Sequence, residues 1–384
     1  MGTRAARRPL QVENQHKHRI GGVGVDVPRR GWPLVAGVVV MLLALVVVGR
    51  LQGGNLPGVD AGGSQPTTST VPTDATPVAS GLAVAGRVAL PGPAAAVAVG
   101  EDAVWVLLGQ GTLLRVDPDR HRVTGRLELG APAGPLAVGA GAVWVGNGQA
   151  TVTVRVDPVR LRVTARFGGY VVAVAHGVLW SYCCRRGYKP MGFSRIDART
   201  LRPRPPLVVT AALGRRQPVG RLAVGTDAVW TQTPEDERLW RVPLGGGPAR
   251  AVRVPGAGYG LAADAGAVWV LSGPGDPGDQ SDRIGRLRRL DQRTGTVTVT
   301  TPLPDLAVGL AAGPVLGGGA VWLAGPYTRL QDGGGILLRV DPASGRVTGW
   351  LRSPLGFAQD VLAAGPHGAW VGMAVPELLH LVPA

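Results

Sequence analysis

A repeated Ala/Gly–Val–Trp signature constrains the fold of this chain more than any other feature. Seven of the ten tryptophans occupy one repeat position, in segments such as GEDAVWV, GAGAVWV and GGGAVWL: Trp105, Trp144, Trp180, Trp230, Trp269, Trp322 and Trp370. A second signature, RVDP or a variant of it, begins at Arg115, Arg155, Arg195, Arg241, Arg289, Arg339 and, as HLVP, at His380. Such internal similarity indicates an array whose units bury their apolar faces against one another.

Each unit contains four short apolar runs separated by Gly, Asp and Pro, which predicts four strands joined by turns. Strand A is the LAVG-like run, strand B the AVWV run, strand C the LLRVD run and strand D the RVTG run. Residues 82–384 divided among seven units give about 43 residues per unit, near the roughly 40 to 45 of a four-stranded propeller blade. The sequence therefore predicts an all-β, seven-bladed β-propeller.

The two ends of the repeat region complement each other. The last unit supplies VLAAG, GAWVGM and ELLHLVP and then lacks a fourth strand, whereas LAVAGRVALPG at residues 82–92 resembles strand D and precedes the first strand A. Pairing this strand with the last unit would protect an exposed blade edge. We therefore expect the N-terminal strand to close the ring.

The region before the repeats predicts a membrane anchor. Residues 1–31 form a basic tail, residues 32–49 carry no charge, and residues 50–81 are rich in Gly, Pro, Ser and Thr. The uncharged run is just long enough for one transmembrane helix, and the positive-inside rule places the tail in the cytoplasm and the propeller, residues 82–384, outside the cell. A cleaved signal peptide is the alternative, although its apolar region is usually shorter.

Composition limits the other classes of structure and partner. Only 17% of the residues are charged, which disfavours a coiled coil, while Val, Leu and Ala are too abundant for a disordered chain. The formal net charge of +15 favours anionic partners, although a bias toward arginine codons is an alternative source of the basicity. No motif for specific nucleic-acid recognition is present.

The repeat unit GAVWV…RVDPxTGxVTG resembles those of the bacterial YVTN-type and NHL-type β-propellers, and of the streptogramin (virginiamycin B) lyase propellers among them. The resemblance covers residues 82–384. It implies a seven-bladed propeller and, as an alternative function, a lyase-like enzyme.

Long connections are expected on one face of the disc, where the D-to-A and B-to-C connections meet. The candidate residues for binding a protein or small ligand there are Tyr170, Arg185, Arg186, Tyr188, Tyr259, Tyr327, Arg329, Gln359 and Asp360. Arginine and tyrosine are common anchors in binding sites, which favours a recognition face. Solvated loops of unequal length are the alternative.

No cofactor is predicted, and two features remain open. The carboxylates of Asp276, Asp279 and Asp282 could hold calcium or belong to a solvated loop. Cys183 and Cys184 could form a vicinal disulfide, pair between chains or stay reduced.

Signals for catalysis are weak. His121, His176 and His367 are predicted in turns opposite the long loops and His380 in a strand, a distribution that opposes convergence on one substrate. The sequence therefore favours a binding module and leaves enzymatic activity open.

Overall fold

The computed structural model describes most of the repeat region and little of the longer connections. The described residues are 78–130, 133–147, 152–169, 171–183, 192–207, 221–232, 238–264, 266–273, 285–303, 306, 311–326 and 334–384. No helix among them is long and apolar enough to cross a membrane. The predicted anchor at residues 32–49 lies outside the described residues.

The strands form seven antiparallel sheets, the blades of a propeller. Two strands precede the first blade: β1 (Val78–Ser80) and β2 (Leu82–Ala89). Blade 1 contains β3 (Ala94–Gly100), β4 (Ala103–Leu108), β5 (Thr112–Asp117) and β6 (Arg122–Glu128). Blade 2 contains β7 (Ala133–Gly139), β8 (Ala142–Asn147), β9 (Val152–Asp157) and β10 (Arg162–Gly168). Blade 3 contains β11 (Val171–Ala175), β12 (Val178–Cys183), β13 (Gly192–Asp197) and β14 (Pro203–Leu207).

The remaining blades repeat this order. Blade 4 contains β15 (Leu222–Val224), β16 (Ala228–Gln232), β17 (Arg238–Pro243) and β18 (Arg250–Arg253). Blade 5 contains β19 (Ala257–Ala263), β20 (Ala267–Ser272), β21 (Gly285–Asp291) and β22 (Val297–Leu303). Blade 6 contains β23 (Ala312–Gly317), β24 (Ala320–Pro326), β25 (Gly335–Val340) and β26 (Val347–Ser353). Blade 7 contains β27 (Phe357–Gly365), β28 (Gly368–Met373), β29 (Glu377–Pro383) and, from the start of the chain, β2.

The first strands of the seven blades form a closed ring. Each contacts the first strand of the next blade, and β27 of blade 7 contacts β3 of blade 1. Strand β2 supplies the missing fourth strand of blade 7, paired antiparallel with β29 from Leu82 opposite Pro383 to Ala89 opposite Glu377. The predicted closure by the N-terminal strand is confirmed.

Strand β1 adds a fifth strand to blade 6. Val78 pairs with Arg352 and Ser80 with Trp350 on the outer strand β26. These residues fall within the segment 50–81 that the sequence analysis assigned to the linker. A free strand edge offers unpaired backbone groups, and a neighbouring extended segment satisfies them even where its own composition is unremarkable.

The apolar core is divided among the seven interfaces between blades. Each of the seven clusters of buried residues draws its members from two adjacent blades. The repeated tryptophan of every blade lies in the interface with the following blade, including Trp370 of blade 7 in the interface with blade 1. All seven indoles are at most 2% exposed. The repeat is therefore a device for joining each blade to the next.

Indole hydrogen bonds distinguish the blades. The Nε1 atoms of Trp105, Trp144 and Trp322 each donate to the carbonyl five residues earlier, at 3.0 Å. In blade 4 the equivalent carbonyl, of Gly225, accepts instead from Nε2 of His176 at 2.9 Å. In blade 5 the equivalent carbonyl, of Asp264, accepts from the side-chain amide of Gln292.

Two tryptophans provide a test of the indole bond. Nε1 of Trp105 donates to Gly100, whereas Nε1 of Trp269 has no partner among the described residues, and both side chains are 0% exposed. We expect Trp105→Phe to lower the free energy of unfolding by about 1–2 kcal/mol more than Trp269→Phe, because both leave a similar cavity but only the first breaks a hydrogen bond. Urea unfolding of both variants measures the difference, and equal losses would contradict the role assigned to the bond.

Candidate functional site

The two ends of the ring differ in their connections. We call the end with the D-to-A and B-to-C connections the long-loop face, and the end with the A-to-B and C-to-D turns the short-turn face. The described residues include nearly all of the short-turn face and only part of the long-loop face.

Most of the predicted binding residues lie outside the described residues. These are Tyr170, Arg185, Arg186, Tyr188, Tyr327 and Arg329, together with the three carboxylates proposed for calcium, Asp276, Asp279 and Asp282, and Cys184. Cys183 is the last residue of β12. The calcium site and the cysteine pairing remain predictions, and no group of three or more metal-ligating side chains occurs among the residues that the structure describes.

Tyr259 is exposed on the long-loop face of blade 5. It lies near the start of the innermost strand β19, where the pairing with β20 shifts between Ala257 and Gly260, and 38% of it is accessible. Its ring packs over Gly273, at which an added Cβ would lie 2.5 Å from Cε2 of the tyrosine. Glycine at this position thus leaves space for the aromatic ring next to the end of β20.

Gln359 and Asp360 occupy the equivalent region of blade 7. Both are exposed in an irregular stretch of β27, where the pairing with β28 shifts between Phe357 and Leu362. Asp360 has a φ of 58°, a left-handed conformation that is costly for a residue with a Cβ and is frequent at functional sites. Blade 6 separates these two residues from Tyr259, so the structure places all three on one face without bringing them together.

The turns of the short-turn face are largely satisfied by their own side chains. Asp117 accepts the backbone N–H groups of Asp119 and Arg120 at 3.0 and 2.9 Å, and Asp157, Asp197, Asp291 and Asp341 act in the same way in their C-to-D turns. The backbone N–H and side chain of Arg120 lower the pKa of Asp117. The carboxylates of these aspartates are therefore occupied by hydrogen bonds within their own turns.

The interface between blades 7 and 1, which we call the seam, differs from the other turns of this face because side chains of two blades contact each other there. Nε2 of His121, in the C-to-D turn of blade 1, lies 2.9 Å from Nδ1 of His380 on β29. The His380 ring stacks on Trp370 with centroids 4.3 Å apart and planes 3° apart. Gly86 of β2 makes room for this cluster, because a Cβ there would lie 2.1 Å from Cδ2 of His121.

A cavity of about 350 Å³ opens beside this cluster on the short-turn face. Blade 7 contributes Pro366, His367, Trp370 and His380 to its wall, and blade 1 contributes Glu101, Asp102, Pro118 and Asp119, with the remaining contacts from small residues of the two A-to-B turns. The expectation that the histidines do not converge is therefore wrong for His121, His367 and His380. They meet because ring closure places the last blade beside the first.

Burial controls the protonation of His380, which is 5% exposed. Its pKa is lowered to about 4, chiefly by removal from water and then by the positive charge of the neighbouring His121. The charge of His367 acts in the same direction, whereas the backbone of His367 and the carboxylate of Asp119 oppose the shift. His380 is therefore neutral at physiological pH.

Comparisons with known proteins support the fold. No family model matches the sequence, and a search of curated proteins gave no match. Among solved structures, the β-propeller domain of Myceliophteria thermophila Cps50 (Swd1) aligns with a TM-score of 0.55 and 12% identity over 79% of this chain and 100% of that one. The Neurospora crassa Pan2 WD40 domain aligns with a TM-score of 0.54 and 10% identity over 79% and 95%. Kuenenia stuttgartiensis hydrazine synthase aligns with a TM-score of 0.52 and 14% identity over 73% and 92%.

Identities this low show the fold alone: the chain is a seven-bladed β-propeller of four-stranded blades, similar to WD40 domains. The finer resemblance to YVTN, NHL and streptogramin lyase repeats is not shown by these structures.

The buried histidine makes stability depend on pH in a defined window. The pKa of His380 is about 4 in the folded chain and near 6.5 when unfolded, so the unfolded state binds more protons between these values. Stability is therefore full above about pH 6.5 and falls as the pH drops toward 4. Between pH 7 and pH 5 we expect a loss of about 2 kcal/mol in the free energy of unfolding, measured with urea.

His380→Phe is the control for this measurement, because it keeps an aromatic ring against Trp370 and removes the titrating group. The lowered pKa values of the turn aspartates affect stability only below about pH 4, outside the window. A variant with the same pH dependence as the natural chain would show that His380 is not responsible.

Proposed function

We propose that this protein is a membrane-anchored, extracytoplasmic propeller that binds a protein or small ligand through its long-loop face. The propeller fold itself is consistent with a protein-binding module. The observation that carries the proposal is the exposure of Tyr259, Gln359 and Asp360 at the long-loop ends of innermost strands, one of them in a costly backbone conformation. A rigid ring with exposed polar and aromatic groups at the mouth of its channel suits recognition.

The contrast between the faces supports this assignment. The aspartates at the start of five C-to-D turns accept hydrogen bonds within their own turns, and Arg120 and Arg160 pair with Asp117 and Asp157 at 2.9 and 3.2 Å. The sequence of the long-loop face adds arginine and tyrosine in connections longer than a turn requires.

The anchor is supported by the uncharged run at residues 32–49 after a basic tail. Protease added to intact cells or spheroplasts should degrade the region after Arg50 and leave residues 1–31 intact. A propeller protected from external protease, but cleaved after the membrane is permeabilised, would contradict this topology.

The long-loop face is tested by two matched sets of substitutions in the full-length chain. Replacement of Arg185, Arg186 and Tyr188 by alanine should weaken retention of a partner captured from native membranes by about tenfold or more, because such anchors dominate binding energy. Replacement of Arg120, Arg160 and Arg346 should change retention little, because these arginines lie in turns of the opposite, short-turn face.

Both sets of substitutions remove positive charge, two charges on the long-loop face and three on the short-turn face. A partner attracted only by the net positive charge of the protein should therefore respond to both sets. Equal losses, together with a steep decline in binding as salt is raised, would indicate general electrostatic attraction and contradict a specific face.

One observation favours the alternative, a lyase-like enzyme: His367, His380 and Asp119 line a single cavity. The pKa of about 4 makes His380 a weak general base at neutral pH, and the described lining contains no Ser, Thr, Cys, Lys or Tyr side chain that could act as a nucleophile. Binding remains the better-supported proposal.

A further inference from the structure

The outer rim of the ring carries a groove of about 200 Å³ between blades 5 and 6. Blade 5 contributes the end of β22, and blade 6 contributes β25 and β26. The described lining residues are Pro302, Leu303, Ile336, Leu338, Val347, Trp350 and Arg352. Six of these seven side chains are apolar, so the groove suits apolar groups.

The groove has a buried floor and an accessible wall. Leu303, Ile336 and Leu338 are at most 6% exposed, and they form the floor. Val347 is 41% exposed and Trp350 is only partly buried, which makes this wall a patch of apolar surface in contact with water. A chain segment that covers the wall removes that surface from water, which is favourable.

Strand β1 brings the chain to this groove. Val78 pairs with Arg352 and Ser80 pairs with Trp350, and both of these partners line the groove. Pro77, the residue before β1, is therefore joined to the chain at the Arg352 end of the groove. The segment upstream of β1 can reach the groove without a long connection.

The sequence of this segment suits an aromatic-lined groove. Residues 71–77 read Val-Pro-Thr-Asp-Ala-Thr-Pro. Pro72 and Pro77 lack a backbone N–H, so they favour an extended polyproline II conformation over pairing in a β-sheet. Segments of this kind dock through their side chains against aromatic rings, and Trp350 supplies such a ring here.

The charges of the segment and the groove are complementary. Asp74 is the one ionisable side chain of residues 71–77. Arg352 is the one ionisable side chain among the described lining residues, and its guanidinium carbon lies 5.1 Å from the centre of the Trp350 ring. An ion pair at this end of the groove would fix the direction in which the segment lies.

The segment also has the length that the groove requires. The β26 wall from Val347 to Arg352 spans about 16 Å at roughly 3.3 Å per residue. Residues 71–75 in a polyproline II conformation cover about 16 Å at roughly 3.1 Å per residue. Residues 76–77 remain for the reversal into β1, which runs antiparallel to β26.

We propose that residues 71–77 pack into the groove between blades 5 and 6, with Pro72 against the Trp350 ring and Asp74 beside the Arg352 guanidinium. The apolar contact provides the affinity, and the ion pair sets the direction. The final residues of the predicted linker thus become a docked part of the propeller.

Docking at this place protects the strand that closes the ring. β2 follows β1 directly and pairs with β29 of the last blade. A pull on the N-terminal side of the chain meets the docked segment and β1 first, so it does not separate β2 from β29. This mechanical role rests on the proposed membrane anchor, whereas the packing of residues 71–77 does not.

Thiol accessibility tests the docking in the full-length chain in detergent. Val347 and Val297 both begin an outer strand and are 41% and 39% exposed, but only Val347 lines the groove. With Cys183 and Cys184 replaced by alanine, Val347→Cys should react with N-ethylmaleimide about tenfold more slowly than Val297→Cys, which corresponds to a docked segment favoured by about ten to one.

Replacement of residues 71–77 by alternating glycine and serine is the control for this comparison. It should raise the reaction rate of Val347→Cys to that of Val297→Cys and leave the latter rate unchanged. Equal rates with the natural segment present would overturn the proposal. A slow rate for Val347→Cys that the replacement does not raise would also overturn it, because the valine would then be shielded by something else.

Asp74→Asn tests the ion pair. Combined with Val347→Cys, it should raise the thiol reaction rate by about threefold, because an exposed ion pair contributes a modest free energy. Asp60→Asn removes the same charge from the linker outside the docked segment and should leave the rate unchanged. No increase in Asp74→Asn, or an equal increase in Asp60→Asn, would contradict the contact with Arg352. These measurements involve neither the long-loop face nor a membrane, so this proposal fails or succeeds separately from the proposed function.

Discussion

The burial of one indole between each pair of blades is the interaction on which the rest of the structure depends. Within the part of the chain that the structure describes, no blade has an apolar core of its own, because every cluster of buried residues is shared by two neighbours. A tryptophan buries roughly 150–250 Å² and stabilises whichever interface it fills. Seven such interfaces can all be completed only in a closed ring, so closure follows from the packing requirement of the repeat.

Closure makes the seam chemically different from the other interfaces. Blade 7 is assembled from both ends of the repeat region, with β2 supplying its outer strand. In this blade His380 replaces the repeat arginine, His121 reaches it from blade 1, and Gly86 provides the space. A local change of one residue type thus accompanies a neutral aromatic cluster with a cavity beside it at this interface.

Periodic features could be predicted from the sequence, and features that depend on a single contact could not. The strands, the blade count and the role of β2 follow from a pattern that recurs in seven units. A unit whose own pattern is ambiguous can therefore be assigned by comparison with the other units. β1 is three residues long and has no such pattern, because it is ordered by the exposed edge of β26. The meeting of His121 with His380 joins residues 259 positions apart and depends on side-chain orientation. The change from arginine to histidine is nevertheless present in the sequence, because HLVP at His380 stands where the other units begin with arginine.

The seam joins the first blade to the last, so any change that weakens this interface acts on the closure of the whole ring. The buried ring of His380 is neutral in the folded chain because its pKa is lowered to about 4, whereas an unfolded histidine gains a proton near pH 6.5. Acid therefore destabilises the folded chain through the interface that closes the ring. This loss begins at a higher pH than any loss through the turn aspartates, whose pKa values are lowered.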